Sequence, residues 1–436
     1  LVLEPGINSP NSAQLWVGGD DNFDLTQIDL SSGTVTASVE YGTEGLEELP
    51  PQKLIVLDDV LYFIPEQSDN GDNIGRIDLT TTVVTPGGGT GYASVTNGAI
   101  DPSDEFGDNI YIHGADIVEG ILHIGASEDR WWGGYDEGHI MRYNLTTDSW
   151  DEKIEPGQEI GRALAVYLSN RLYVTYGDSV KELDSGGNLL NSWPNSLDGP
   201  IREIVEYNGE ILFATQSGIA RYDPLTETWL DTWTIDNEGL HPSSNDDEEI
   251  IEMYVDGTDL WYSSGTTSGQ WWNSAPTLQR MTGNDDNGDG VIDGNDHEVW
   301  DTANTQGIPN GDIWSMERCN DYMHFAVRWN GNFGGGGGVG RFNTVTDSWE
   351  TTNVWENNNG LDDDDAVALA CDDQEVMYIA YQDEGHGVTR YDYSSGNWLT
   401  TLGNSDGISE DAVWWDSMDW GGGMLVIGHS YEDNGN

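Results

Sequence analysis

Short apolar runs alternate with polar turns along the whole chain, and the runs recur. LWVGG (15–19), LYFIP (61–65), LHIGA (122–126), LYVTY (172–176), LFATQ (212–216), LWYSS (260–264), MHFAV (323–327), MYIAY (378–382) and LVIGH (425–429) are alternating or continuously apolar. That is the pattern of a buried strand. Their first residues are spaced by 46, 61, 50, 40, 48, 63, 55 and 47. Ahead of most lies another strand after a Gly or Asp turn, such as IREIVEYNG (201–209) or DIWSMERCN (312–320). Behind them comes a third strand ending in Arg, an aromatic and Asp or Asn, then a polar turn and a Trp. The clearest copies are RYNLTTDSW (142–150), RYDPLTETW (221–229), RFNTVTDSW (341–349) and RYDYSSGNW (390–398). QIDLSSGTV (27–35), RIDLTTTVV (76–84) and ELDSGGNLL (182–190) are weaker, and the copy in LQRMTG (278–283) is interrupted by an insertion. No helical periodicity persists anywhere.

Four strands recurring about every 50 residues predict an all-β chain, a β-propeller of four-stranded blades in a single domain over residues 1–436. One such blade cannot bury both faces alone, so it stacks on the next. The third-strand phrases number eight and the second-strand phrases nine. The last unit (412–429) offers an inner and a second strand with nothing after them. The simplest closure lends its inner strand to the N-terminal unit, which gives eight blades with one strand left over. The alternative is a seven-bladed ring from about 41 to 405 flanked by partial units. Trp150, Trp229, Trp349 and Trp398, together with Trp300, are expected to be mostly buried in the gap between successive blades. Six of the twelve Arg stand at one repeat position, 76, 142, 221, 280, 341 and 390. A planar fork at a repeated position predicts hydrogen bonding between blades.

The linkers NSDGISEDAVWWDSMDWGGGMLVIGH (404–429), GIPNGDIWSMERCNDYMHFAV (307–327) and LDGPIREIVEYNGEILFATQSGIARYD (197–223) resemble the two-component-regulator propeller repeat. The YDPLTETW ending also looks like kelch repeats, although the kelch double glycine is mostly absent, as in LYVTYGD (172–178). The first resemblance implies an extracellular or periplasmic sensing or binding domain.

Charge narrows the partners. There are 79 Asp and Glu against 15 Lys and Arg, a net charge of −64. Nucleic acid and anionic membranes both require basic patches and are excluded as partners. Disorder is the usual companion of such charge, but 19 Trp and 19 Tyr argue for a folded interior. An acidic, Lys-poor surface suits salty water or the collection of divalent cations. No run of about 20 apolar residues is present, so no membrane-spanning helix is expected. The opening LVLEPGINSP lacks the basic and apolar regions of a signal peptide, so an exported chain would have lost its leader or belong to a longer precursor. Cys319 and Cys371 fall near the same point of successive repeats. They admit two readings, a disulfide between neighbouring blades or two buried free thiols.

One local motif carries chemistry. Residues 284–297, inserted in the sixth blade, contain the spacing D-x-N-x-D-G-x-I-D-x-x-D from Asp285. Asp285, Asn287 and Asp289 give side-chain oxygens, Gly290 permits a sharp turn, and Val291 gives its carbonyl. Ile292 pins the loop, Asp293 binds directly or through water, and Asp296 closes the shell. This is the oxygen set of an EF-hand-type Ca²⁺ loop. Strands replace the flanking helices, so the loop resembles those of dockerin or thrombospondin-type repeats. The runs Asp362 to Asp365 and Asp246 to Glu249 precede inner strands and read as a solvated rim. GNFGGGGGVG (331–340) links two strands and opens no helix, so it is a hairpin rather than a dinucleotide site. Asn144-Leu145-Thr146 is the only N-glycosylation sequon. The eight His are scattered, with no nucleophile elbow and no H-x-x-x-H pair. No catalytic residue is expected. The reading is an exported, calcium-stabilised cell-surface, filament or adhesion module whose partners are protein neighbours or surface glycans; the alternatives are an extracellular sensory ligand-binding propeller and a propeller hydrolase or lyase acting at the channel mouth.

Overall fold

A computed structural model describes residues 14–18, 25–29, 34–39, 51–57, 60–65, 67–68, 75–78, 110–118, 121–130, 134–144, 146–147, 149–150, 166–168, 171–176, 179–184, 188–193, 201, 203–234, 250–264, 277–282, 297–301, 306–309, 311–328, 337–351, 355–356, 359–381, 386–402, 413–421 and 424–429. Regular structure among them is strand throughout. The chain divides into two compact units. The first comprises Leu1–Ile112, Cys319–Tyr322 and Trp355–Asn436, the second His113–Arg318 and Met323–Val354.

In chain order the strands are β1 (Gln14–Gly18), β2 (Leu25–Asp29), β3 (Thr34–Val39), β4 (Pro51–Leu57), β5 (Val60–Pro65), β6 (Gln67–Ser68), β7 (Gly75–Asp78), β8 (Ile110–Val118), β9 (Ile121–Arg130), β10 (Gly134–Asn144) and β11 (Ser149–Trp150). Then come β12 (Val166–Leu168), β13 (Arg171–Tyr176), β14 (Ser179–Leu183), β15 (Leu189–Trp193), β16 (Ile204–Tyr207), β17 (Glu210–Thr215), β18 (Gly218–Asp223), β19 (Thr228–Trp229), β20 (Ile250–Asp256), β21 (Asp259–Ser264), β22 (Thr277–Met281) and β23 (His297–Asp301). The remainder are β24 (Asp312–Cys319), β25 (Tyr322–Arg328), β26 (Gly338–Asn343), β27 (Ser348–Trp349), β28 (Ala366–Cys371), β29 (Val376–Tyr381), β30 (Thr389–Asp392), β31 (Asn397–Trp398), β32 (Val413–Gly421) and β33 (Met424–His429).

These strands form eight sheets among the described residues. Five of them, β12–β15, β16–β19, β20–β23, β24–β27 and β28–β31, are four-stranded meanders in chain order. Local chemistry explains the meander. Between β16 and β17, Asn208 (φ 51°) and Gly209 (φ 80°) form a two-residue turn with both central residues left-handed. Such a turn matches the twist of an antiparallel pair. Second and third strands read as near-continuous burial: in β17 every residue after Glu210 is buried, and β22 is buried throughout. Sheets covered on both faces need this pattern.

Among the described residues, four stacking interfaces have cores of their own. In the second unit, Tyr173, Val180, Ile204, Phe213 and Tyr222 join the β12–β15 and β16–β19 sheets. Leu212, Ile219, Trp233, Met253, Tyr262 and Met281 join β16–β19 to β20–β23. Trp261, Leu278, Ile313, Phe325 and Phe342 join β20–β23 to β24–β27. In the first unit Val367, Ala370, Tyr378, Leu402 and Met418 pack β28–β31 against β32.

The chain ends meet in a five-stranded sheet of order β3-β2-β1-β33-β32. Sequence reasoning lent one C-terminal strand to the N-terminal unit, and the structure lends two. Among the described residues no strand follows β33, and β1 pairs with it in parallel register, Gln14 opposite Met424 to Val17 opposite Ile427. The other sheets are β11-β10-β9-β8-β6 and β4-β5-β7. Cys319 and Cys371 are joined in a disulfide, with Cα atoms 5.5 Å apart, so the free-thiol alternative falls.

Trp229, Trp300, Trp349 and Trp398 are mostly buried, each with a minor part of its surface in solvent. Trp300 and Trp349 pack on one inter-sheet core and Trp229 on another. Trp229 lies against Trp193, Phe213 and Tyr222, at centroid distances of 5.3 Å. Trp398 sits on Gly360, where an added Cβ would lie 2.1 Å from the indole. The side chain of Trp150 lies outside the described residues. The repeated Arg, expected to bridge blades, mostly stays within its own sheet: Arg221 binds Glu210 and Arg390 binds the Thr400 carbonyl. Arg280 reaches the next sheet, donating to Asp347 of the β26–β27 hairpin.

The candidate metal loop and its stem

β22 and β23 pair antiparallel, with Leu278 opposite Trp300, Arg280 opposite Glu298 and Met281 opposite His297. Residues 282–296 therefore leave one rung of the ladder and return to its partner. Opposite Cα atoms on such a rung are about 4.5–5.5 Å apart. The inserted segment thus begins and ends at nearly one point, as a chain wrapped round a single ion must. The ligand candidates Asp285, Asn287, Asp289, Val291, Asp293 and Asp296 lie outside the described residues. Among the described residues, no group of three or more His, Cys, Asp or Glu is placed to hold a metal. The donor set fits Ca²⁺: all oxygen, mostly carboxylate, with a carbonyl at the seventh position.

The stem is held firmly. The Arg280 side chain is only 6 % exposed. Its Nη2 donates to Glu298 Oε2 at 2.5 Å and to Asp347 Oδ1 at 2.7 Å. Its Nη1 lies 3.9 Å from Asp259 Oδ2. The guanidinium also lies 5.2 Å from the Trp261 ring centroid and 4.9 Å from that of Phe342. Asp347 belongs to the β26–β27 hairpin, so Arg280 ties the stem to the neighbouring sheet. One guanidinium serves three carboxylates here. Burial pushes the Asp259 carboxyl above the usual carboxylate range, and the pull of Arg280 offsets only part of that.

The acidic run before β28 is partly ordered by its own contacts. The Tyr381 hydroxyl accepts from the Asp362 amide at 3.2 Å and donates to Thr389 Oγ1 at 2.6 Å. His386 Nε2 lies 3.3 Å from Asp363 Oδ2. Sequence reasoning missed His386, because the 22 residues between it and Asp363 hide their approach. Asp246 to Glu249 and most of the glycine run lie outside the described residues, although β25 and β26 do flank that run as strands.

Asn144, the sequon residue, performs the same task as its counterparts in other repeats. Its Oδ1 accepts from the amides of Thr146 and Thr147, both at 3.0 Å. Asp223, Asn343 and Asp392 make the equivalent pair of bonds. This side-chain turn explains why Asp or Asn begins each polar turn. Hydrogen bonds from the Thr226 and Ser394 hydroxyls, first among several, hold Asp223 and Asp392 below the usual carboxylate value of 3.8. Their contribution is therefore present above that pH and lost as pH falls through the folded value. Asn343 does not titrate.

No protein-family model matches the chain, and no curated protein sequence matches it. Solved structures do. The chain is similar to the computationally designed Ika8 protein at 10 % identity and a TM-score of 0.52, over 89 % of this chain and 95 % of that one. It is similar to apo AztD from Citrobacter koseri at 9 % identity and a TM-score of 0.51, over 96 % and 99 %. It is similar to the dihydro-heme d1 dehydrogenase NirN in complex with DHE at 9 % identity and a TM-score of 0.54, over 92 % and 75 %. AztD and NirN are β-propeller-type folds, and this all-β chain is a β-propeller. Identities this low speak for the fold alone. The likeness to two-component-regulator, kelch and dockerin repeats rests on the sequence motifs.

Proposed function

We propose that the chain is an exported, calcium-stabilised β-propeller serving as a cell-surface, filament or adhesion scaffold, with protein neighbours or surface glycans as its partners. The observation that carries this reading is the β22–β23 stem. It returns an EF-hand-spaced acidic loop to its starting point and fastens it to the next sheet through Arg280. Asp285, Asn287, Asp289, the Val291 carbonyl, Asp293 and Asp296 would hold the ion. A bound Ca²⁺ supplies the positive charge that this carboxylate-rich loop lacks. The Cys319–Cys371 disulfide supports export, because such bonds persist in oxidising compartments. Asn144 is the proposed glycan attachment point, exposed through its hairpin, whose neighbours Thr146 and Thr147 face solvent.

Flow dialysis with Ca²⁺ on the whole chain tests the metal. One ion should bind per chain, and binding should vanish in the double variant Asp285→Asn, Asp289→Asn. Equal binding by the double variant would defeat the assignment. Antibody labelling of intact, non-permeabilised cells tests the location, with alkylation of the purified native protein before and after reduction. Labelling only after permeabilisation, or two thiols reactive before reduction, would remove the case for export.

A further inference from the structure

The β12–β15 sheet ends on a long, uncharged edge, a feature it shares among the described residues with β3 (Thr34–Val39, TVTASV). The outer strands β11, β19, β27 and β31 are two residues long, and β23 carries Glu298 and Asp301. β15 runs five residues, LLNSW, with no charge. No charged residue stands anywhere from Ser185 to Leu197. Short strands and charges are the ordinary means of blunting a sheet edge against further pairing, and β15 has neither. Leu189 is 56 % exposed and Leu190 39 % exposed, side by side on this edge. The strand is well anchored. Asp184 Oδ1 accepts from the Asn188 amide at 2.7 Å, and both its carboxylate oxygens accept from Asn188 Nδ2. On its inner side β15 is paired with β14 from Trp193 to Leu189.

Charge selects the occupant. Two chains of −64 repel over most of their surface. From Val166 to Leu197, however, Arg171 and Lys181 stand against Asp178, Glu182 and Asp184, a net charge of −1. Lys181, one of three Lys in the chain, lies opposite Ser192 of β15. Here two copies meet with little repulsion. A basic partner would be drawn to the acidic faces instead. The edge fits an uncharged strand with exposed leucines, and the chain's own β15 is such a strand.

We infer that β15 is a self-association edge: two copies pair antiparallel through β15 about a two-fold axis. The sheets then continue into one another through main-chain hydrogen bonds, with Leu189 and Leu190 of each copy packed at the seam. The remaining repulsion is long-ranged and shrinks as the Debye length falls to about 3 Å at 1 M salt. Dimerisation therefore strengthens as NaCl rises.

Sedimentation velocity of the whole chain in about 0.1 M and about 1 M NaCl tests this. The wild type should form a dimer whose affinity rises with salt. Leu189→Lys and Leu190→Lys should each weaken it at least about tenfold. Leu225→Lys, at a 90 % exposed apolar residue on the β18–β19 hairpin, should leave it unchanged. Circular dichroism melts show whether each variant remains folded. A wild type that stays monomeric at its solubility limit in high salt overturns the inference. So does a dimer that survives both β15 substitutions, or one that Leu225→Lys dissolves equally.

Discussion

The β16–β19 and β20–β23 sheets share a repeat, yet one closes on itself and the other reaches outward. In the first, Arg221 pairs with Glu210 through two bonds of 2.8 Å, and Glu210 is the first residue of the second strand. In the other, Asp259 holds that position and is one methylene shorter, so the Arg280–Asp259 approach opens to 3.9 Å. Arg280 turns instead to Glu298 and to Asp347 of the next sheet. The hairpins differ in step. β18–β19 is closed by Asp223 capping the amides of Leu225 and Thr226, and its outer strand needs only two residues. In β22–β23 Thr282 stands where Asp223 does, and a ladder of five rungs joins the two strands. The regular sheet spends its chemistry on closure. The interrupted one frees a loop and fastens the base of that loop to a neighbour.

Core substitutions give the largest effect and should treat the two sheets alike. Phe213 and Trp261 are fully buried second-strand rings, one in each sheet. Replacing either with Ala should cost about 3–5 kcal/mol by denaturant unfolding. A much smaller cost at Trp261 would mean the interrupted sheet is loosely packed and serves only as a carrier for its loop.

Arg280→Met separates the sheets. It leaves Asp259, Glu298 and Asp347 without their common cation and should cost about 1–3 kcal/mol. It should also weaken Ca²⁺ binding by loosening the stem. Unchanged calcium affinity would show that the loop is independent of the neighbouring sheet.

Much of this was legible in the chain. The recurring apolar runs placed the strands, and Asp or Asn before each polar turn announced the capping bonds at Asn144, Asp223, Asn343 and Asp392. The strands either side of residues 282–296 follow from LQRMTG and the HEVW stretch. Two features were not legible. The Arg–acid partners depend on one methylene, Glu210 against Asp259, which no pattern weighs. The union of Cys319 with Cys371 depends on a 5.5 Å approach between strand ends that lie 52 residues apart.

A turn comparison gives smaller effects. Asn343→Ala removes two capping bonds and should cost about 1 kcal/mol at any pH. Asp392→Ala should be destabilising at neutral pH, and its deficit should shrink as pH falls through the folded carboxylate value, because the wild type then loses the same bonds. A pH-independent deficit would mean that backbone shape, not charge, holds that turn.

The smallest effect reverses sign between hairpins. Glu227 (φ 55°) and Asp347 (φ 54°) occupy one left-handed position, where the next repeat places Gly396 (φ 69°). Glu227→Gly should stabilise by about 0.5–1 kcal/mol through relief of that backbone cost. Asp347→Gly should destabilise, because Arg280 loses a ligand worth more than the relief. Equal gains in both would break the link between strain at Asp347 and its bond to Arg280.

The proposed function rests on a specific calcium loop in the interrupted sheet of an acidic propeller that salt is expected to stabilise. Melting temperature in CaCl₂ and in NaCl at matched ionic strength tests it most directly, for the wild type and for the Asp285→Asn, Asp289→Asn double variant. Exposed carboxylates are screened by either salt, with a Debye length of about 10 Å at 0.1 M falling to about 3 Å at 1 M. The wild type should therefore gain stability from both, but from Ca²⁺ at far lower concentration. The double variant should keep the NaCl response and lose the low-concentration Ca²⁺ response. Equal responses to the two salts in the wild type would contradict the account and leave residues 284–297 as one more acidic turn.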